Sequence, residues 1–213
     1  DPAAIVPIAL ERLRDVEALD RANEQYRALV GQMRADGYRV DSYVIPFFAD
    51  GRSVGSNLLQ RLTGLVDVPV EREIPMLYTS FVRPRGVAIL WSYGRDAPAI
   101  AVGSTGGGVE IAGVDRVAPL NWDELARDLR LAGRLTDSIL VFSLEGAVQQ
   151  GFLDRLAGFD WDVPVEPPAE AATVDRIRLV ARIILWAIAH PWPLVGALLL
   201  GLWLRSVGKR VHG

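Results

Sequence analysis

The run Ile183–Leu204 reads IILWAIAHPWPLVGALLLGLWL, twenty-two residues without an Asp, Glu, Lys or Arg. Such a length suffices to cross the hydrocarbon core of a bilayer as a helix. Arg182 and Arg205 bracket it, and Trp186, Trp192 and Trp203 could act as interfacial anchors. The pattern predicts a membrane anchor over 174–213, with a spanning run at about 183–204. Pro191 and Pro193 each remove a backbone donor inside that run. They leave open a kinked hairpin: an interfacial helix over about 174–189, a break at His190-Pro191, and a shorter spanning helix over about 192–207. A buried core helix is the remaining alternative. Three basic residues precede the run and three follow it, so orientation is nearly tied; the C-terminus is read as cytoplasmic and the body of the chain as extracytoplasmic.

Charge divides the chain. Residues 171–213 carry +5, from five arginines, Lys209 and a single acid, Asp175, which leaves −8 on the remainder of a chain of net charge −3. An acidic body argues against nucleic acid as a partner. The expected partners are the lipid bilayer and a glycan. The segment 162–173, DVPVEPPAEAAT, has three prolines and reads as an extended tether. It separates a domain at 1–161 from the anchor.

Residue types narrow the chemistry of that domain. There is no Cys, and the two histidines are His190 and His212. Residues 1–189 therefore hold no Ser-His-Asp triad and no His- or Cys-ligated metal. Lys209 is the sole lysine, which excludes Schiff-base chemistry and a phosphate-loop lysine from the body. No cofactor or metal site is expected. Acid–base work would fall to Asp and Glu, with Tyr, Arg or Ser in support.

Helical and strand patterns alternate along 9–161. Leu10, Leu13, Val16, Leu19, Ala22, Tyr26, Leu29 and Met33 recur at helical spacing over 9–36, and Gly37 follows as a cap. A strand is expected over 38–48, then a helix over about 53–64. Further strands are expected at 74–81, 87–92, 98–103 and 138–143. Helices are expected at 121–133, with Asn121 and Glu124 as a capping box, and at about 147–157. This is an α/β pattern with a parallel sheet. About five strands are too few for an eight-fold barrel, which needs roughly 250 residues. The chain is therefore expected to be the C-terminal portion of a longer protein. The alternative is a complete protein with a small open sheet.

Ligands meet the carboxyl ends of parallel strands, so the candidate residues are those that fall there. Glu145 directly follows SILVFSL and is the leading candidate for a catalytic carboxylate; it could equally be a first-turn helix residue stabilised by the macrodipole. Asp41 and Tyr43 share a face of the first strand, and Asp50 lies in the turn beyond it. Asp41 is the second carboxylate candidate, since paired acids carry out glycoside hydrolysis. Trp91 and Tyr93 end the segment VAILWSYG and could stack on a sugar, with core packing as the alternative. Ser104 and Thr105 open the loop GSTGGG, which could approach an anion or be a plain turn. Tyr43, Asp50, Trp91, Tyr93, Ser104 and Thr105 are thus the substrate-binding candidates.

The segments YRVDSYVIPFFADGR, MLYTSF, ILWSYG, AIAVGSTGGG, NWDELARDLRLAGR and ILVFSLEG, in that order, resemble the later strands of a (β/α)8 (TIM) barrel of the glycoside hydrolase superfamily. They are especially similar to uncharacterised bacterial proteins in which the barrel precedes membrane helices. The resemblance covers about residues 9–161 and carries over no residue role, because no Asp-x-Glu or Asn-Glu pair stands at a strand end. It implies a carbohydrate-active hydrolase using carboxylates. The alternative is a non-catalytic envelope module that binds a glycan or a protein.

Overall fold

The structure, a computed structural model, describes residues 16–66, 68, 70–103, 105–106 and 118–191. The described residues begin with helix α1 (Val16–Ala35). Gly37, at φ +86°, closes it: the Gly37 amide donates to Arg34 and the Tyr38 amide to Met33. This double bond is the Schellman termination, which needs a residue free to adopt positive φ. Residues 9–15 of the expected helix lie outside the described residues.

Among the described residues, four short parallel strands follow: β1 (Asp41–Val44), β2 (Arg72–Pro75), β3 (Ile100–Gly103) and β4 (Ile139–Phe142). They form two two-stranded sheets, β1 with β2 and β3 with β4. Asp41 is level with Arg72, and Ile100 with Ile139. An isolated parallel bridge from Met76 to Ala101 links the pairs, so the strands stand side by side in chain order.

This corrects the barrel expectation. Two pairs of four-residue strands make no closed (β/α)8 barrel, and among the described residues β1 and β4 do not pair. The physical reason lies in the apolar segments. Residues 87–92, expected as a strand, belong to helix α4 (Gly86–Gly94), which is buried on nearly every side. A continuous apolar run has no periodicity to separate a buried strand from a buried helix. Residues 79–81, the end of the strand expected over 74–81, lie in a 3₁₀ turn (Thr79–Val82). The strand expected over 38–48 stops at Val44, two residues before Pro46, and helix α2 (Phe48–Ser53) starts soon after. The helix expected over 53–64 divides at Gly55, φ +72°, with α3 (Leu58–Thr63) beyond it.

Helix α5 (Trp122–Gly133) has the expected capping box. Asn121 Oδ1 accepts from the Glu124 amide at 2.9 Å, and Glu124 accepts from the Asn121 amide at 3.0 Å. Its apolar face packs on the main core, with Leu90, Ile100, Val102, Leu125, Leu129 and Phe152. The helix expected over 147–157 is two short ones, α6 (Leu144–Gln149) and α7 (Phe152–Ala157), divided at Gly151 with φ +66°. The Pro-rich segment 162–170 holds neither helix nor strand, and Val165 packs against the main core.

The membrane expectation is also corrected. No helix among the described residues is long and apolar enough to cross a membrane. The helix that enters the apolar run, α8 (Ala171–Ala189), carries Asp175, Arg176, Arg178 and Arg182 and ends at His190, before Pro191. It packs along α2 and α4, with Val174, Arg178 and Leu185 buried. The single-pass anchor and the extracytoplasmic placement that depended on it therefore lose their support. Residues 192–204 of the run lie outside the described residues.

Candidate functional site: an aromatic shelf at the strand ends

Alternation along the strands separates two faces. Ile100, Val102, Ile139 and Val141 face the helices of the main core. Ile74, Ala99, Ala101 and Leu140 belong to a smaller cluster on the opposite face, together with Tyr78. Tyr43 is level with Ile74 on β1, and Phe142 follows Leu140 by two residues, so both share that second face.

At the carboxyl ends this face becomes aromatic. Tyr78 stacks on Phe142, ring centroids 5.5 Å apart and planes 19° apart, and Phe81 lies 5.9 Å from Tyr78. Tyr43 is 53 % exposed and Phe81 37 %. Burial, with a smaller contribution from the nearby Tyr43, pushes the Tyr78 hydroxyl up to about 12. Tyr78 is thus a neutral donor on a half-buried ring, beside two rings open to solvent. Of these four residues only Tyr43 is among the sequence candidates. The signal for the others was available: Tyr78 and Phe142 each stand at the end of an apolar run.

Beside the shelf, the segments after β3 and β4 are tightly tied. Thr105 is fully buried; its hydroxyl donates to the Ser143 carbonyl at 2.8 Å and accepts from the Ser143 amide at 2.9 Å. The Ser143 hydroxyl donates to Gly106 O at 2.9 Å and accepts from the Gly146 amide at 3.2 Å, capping α6. The Phe142–Ser143 peptide is cis. A Cβ on Gly146 would stand 2.3 Å from Gly106 O, and one on Gly103 2.2 Å from Phe142 O. Thr105 therefore holds backbone together. Ser104 lies outside the described residues, as do Gly107 and Gly108.

The two candidate carboxylates are not brought together. Glu145 is exposed in the first turn of α6, where it accepts from the Gln149 amide nitrogen at 3.2 Å. Asp41 opens β1 at its amino end and is held by Arg72, whose Nε donates to it at 2.9 Å. Arg72 also donates to Ser138 Oγ at 3.0 Å, just ahead of β4. The register places Asp41 six residues below Phe142, about 20 Å of strand rise. Paired glycosidase carboxyls stand roughly 5–9.5 Å apart.

Asp50 and Tyr93 do meet, in a buried charge network. The Tyr93 hydroxyl donates to Asp50 Oδ2, and Arg178 Nε and Arg182 Nε donate to Asp50 Oδ1 at 3.2 and 2.8 Å. The side chains of Asp50 and Arg178 are 3 % and 8 % exposed. The Arg178 guanidinium also lies 3.8 Å over the Tyr93 ring. Burial, then the bond to Asp50, pushes the Tyr93 hydroxyl far above its ordinary value. Asp175, on α8, is held below the usual carboxylate range chiefly by the Ser92 hydroxyl that donates to it. This network joins α8 to α2 and α4. Trp91, the remaining candidate, is half-buried against the main core.

Two polar clefts lie elsewhere. One of about 310 Å³ is bounded by Asp20, Asn23, Glu24 and Arg27 of α1 with Asn57 and Gln60, and one of about 200 Å³ by Arg95, Asp96, Asp175 and Arg182. Neither includes a residue of the shelf. Among the described residues, no three His, Asp or Glu side chains are grouped to hold a metal ion. Comparison with protein-family models, with curated proteins and with solved structures finds no match to this chain.

Proposed function

We propose that the protein is a non-catalytic binding module that takes the apolar face of a sugar ring on the shelf of Tyr43, Tyr78, Phe81 and Phe142. The carrying observation is the stacked Tyr78–Phe142 pair at the carboxyl ends of the strands, flanked by two exposed rings. An aromatic ring offers a flat apolar surface, and the Tyr hydroxyls add polar tips for sugar hydroxyls. Hydrolysis through Glu145 is the competing reading, supported by the position of that carboxylate just past β4. The separation of Asp41 from it favours binding over turnover.

Isothermal titration with hexasaccharides of glucose and of N-acetylglucosamine tests the proposal. Binding of one of them should weaken about tenfold in Tyr43→Ala and in Phe81→Ala, matching about 1.4 kcal/mol for a lost stacking ring. Glu145→Gln should bind as the parent chain does. Binding that survives both aromatic substitutions, or no binding of either sugar, would overturn the reading. Turnover of a bound sugar that vanishes in Glu145→Gln would establish the hydrolase instead.

A further inference from the structure

The four rings of the shelf are held in two different ways. Tyr43 and Phe142 lie within β1 and β4, so strand pairing fixes them. Tyr78 and Phe81 have no such ladder. Tyr78 stands between β2 and the 3₁₀ turn Thr79–Val82, and Phe81 lies in that turn. The Phe81 amide donates to Tyr78 O at 3.1 Å, which ties the two together locally. Where the pair sits relative to the strands depends on what grips the turn from outside.

The grip falls on the residue between the two rings. Thr79 is 3 % exposed, and its hydroxyl donates to Oδ2 of Asp128 on α5. Asp128 is fully buried, and its Oδ1 accepts from Arg127 Nε at 2.9 Å and from a terminal Arg127 nitrogen at 2.8 Å. Both carboxylate oxygens are thus engaged, one of them by the turn. Asp128 stands beside Leu125, Leu129 and Leu131, which belong to the main core. Burial pushes its carboxyl above the ordinary value even against these bonds. Packing alone would favour an apolar residue at this place. The backbone of Thr79 is confined as well: a Cβ on Gly86, the first residue of α4, would stand 2.2 Å from Thr79 O. Just past the turn, Arg83 donates to both oxygens of Glu124 at 2.9 Å. Glu124 precedes Asp128 by four positions, so both acids project from one side of α5. Helix α5 therefore holds the segment 79–83 at both ends.

We propose that Asp128 is a positioning residue of the shelf: through the Thr79 hydroxyl it sets the turn that carries Tyr78 and Phe81 against Tyr43 and Phe142. This rests on the reading of the shelf as a sugar-binding surface. Half of the shelf is then built by the sheet, and half is adjusted by one buried carboxylate.

The test uses the full chain. Thr79→Val removes the hydroxyl at nearly constant shape, Thr79→Ser restores it, and Asp128→Ala removes the acceptor. Amide hydrogen exchange, read by mass spectrometry without ligand, should quicken at least about tenfold across 77–83 in Thr79→Val and stay within about threefold of the parent in Thr79→Ser. Affinity for the hexasaccharide of glucose or of N-acetylglucosamine should fall about tenfold in Thr79→Val and recover in Thr79→Ser. Thr79→Val/Asp128→Ala should bind no more weakly than Thr79→Val, because both substitutions break one bond. The Thr79 pair carries the test by itself if Asp128→Ala does not fold. Leu156→Ala, a truncation against the main core, should bind as the parent does; an equal loss there would show general loosening and overturn the proposal. Unchanged exchange in Thr79→Val, or quickened exchange with unchanged affinity, would also overturn it and leave the sugar reading standing. A parent chain that binds neither sugar would overturn the sugar reading, while the exchange series would still decide whether Asp128 sets the turn.

Discussion

Replacing Arg178 by Ala should be among the most damaging single changes available outside the apolar core. Arg178 touches three groups at once: Asp50 Oδ1 at 3.2 Å, the Ser92 hydroxyl at 3.1 Å, and the face of Tyr93 at 3.8 Å. It also donates to the Ser92 carbonyl. Removing one partner of a buried ion pair costs about 3–5 kcal/mol, since the other charge stays desolvated. Here Arg182 remains 2.8 Å from Asp50, and the Tyr93 hydroxyl still donates to it. That retained support places the loss at the low end, about 3 kcal/mol. Guanidinium unfolding, followed by tryptophan fluorescence and far-ultraviolet circular dichroism, measures it. With a slope of about 4 kcal/mol per molar, the midpoint should fall by about 0.7 M. Asp96→Ala is the contrast: Asp96 is 76 % exposed and 3.8 Å from Arg178, so its loss should stay below about 0.5 kcal/mol. The combination Asp50→Asn with Arg178→Met removes both buried charges and should recover at least half of the deficit. A deficit below about 1 kcal/mol for Arg178→Ala would refute the argument that the network, rather than apolar contact, docks α8.

Other expectations follow from single contacts. Gly146→Ala should destabilise by about 2–3 kcal/mol, because its Cβ would meet backbone atoms of Thr105 and Gly106 at 2.3–2.6 Å; thermal unfolding reads this directly. Asn121→Ala removes one half of the capping box of α5 and should cost about 1 kcal/mol by the same measurement. Tyr78 has a folded-state value raised from 10.0 to about 12. Its contribution is complete below pH 10 and is lost as pH rises through about 12. Stability should therefore fall more steeply over that window in the parent chain than in Tyr78→Phe, as measured by denaturant midpoints at stepped pH.

Much of the local structure was written plainly in the sequence. Asn121 and Glu124 announce the start of α5, and Gly37 announces the end of α1, because a side-chain cap and a positive-φ residue are local requirements. The strands at Ile100–Gly103 and Ile139–Phe142 were legible as nearly continuous apolar runs of strand length. VAILWS was not legible, since a segment buried all round shows neither a two-residue nor a 3.6-residue period. The C-terminal run misled for a related reason. Hydropathy averages over a helix, whereas the placement of α8 depends on where Arg178 and Arg182 point. Their spacing of four puts both on one face, and that face meets a carboxylate more than a hundred positions earlier. Of the site, Tyr43 lay among the candidates, as did Asp50 and Tyr93 singly, while their pairing came only with the structure. The shelf was missed because Phe142 and Tyr43 come from segments distant from that of Tyr78 and Phe81, and only the parallel pairing places them on one face.

The same network bears on the order in which the molecule is completed. Asp50 is separated from Arg178 and Arg182 by 128 and 132 positions. A ribosome supplies the acid long before its cations, and at about 5–20 residues per second the delay lasts on the order of ten seconds. Throughout that interval the carboxylate has neither guanidinium, so the surface of α2 and α4 that α8 will cover must remain wet. Only when residues 171–189 emerge can water leave that surface. Docking of α8 is therefore the step that closes over Asp50, and a nascent chain stopped short of it would leave that carboxylate with neither guanidinium.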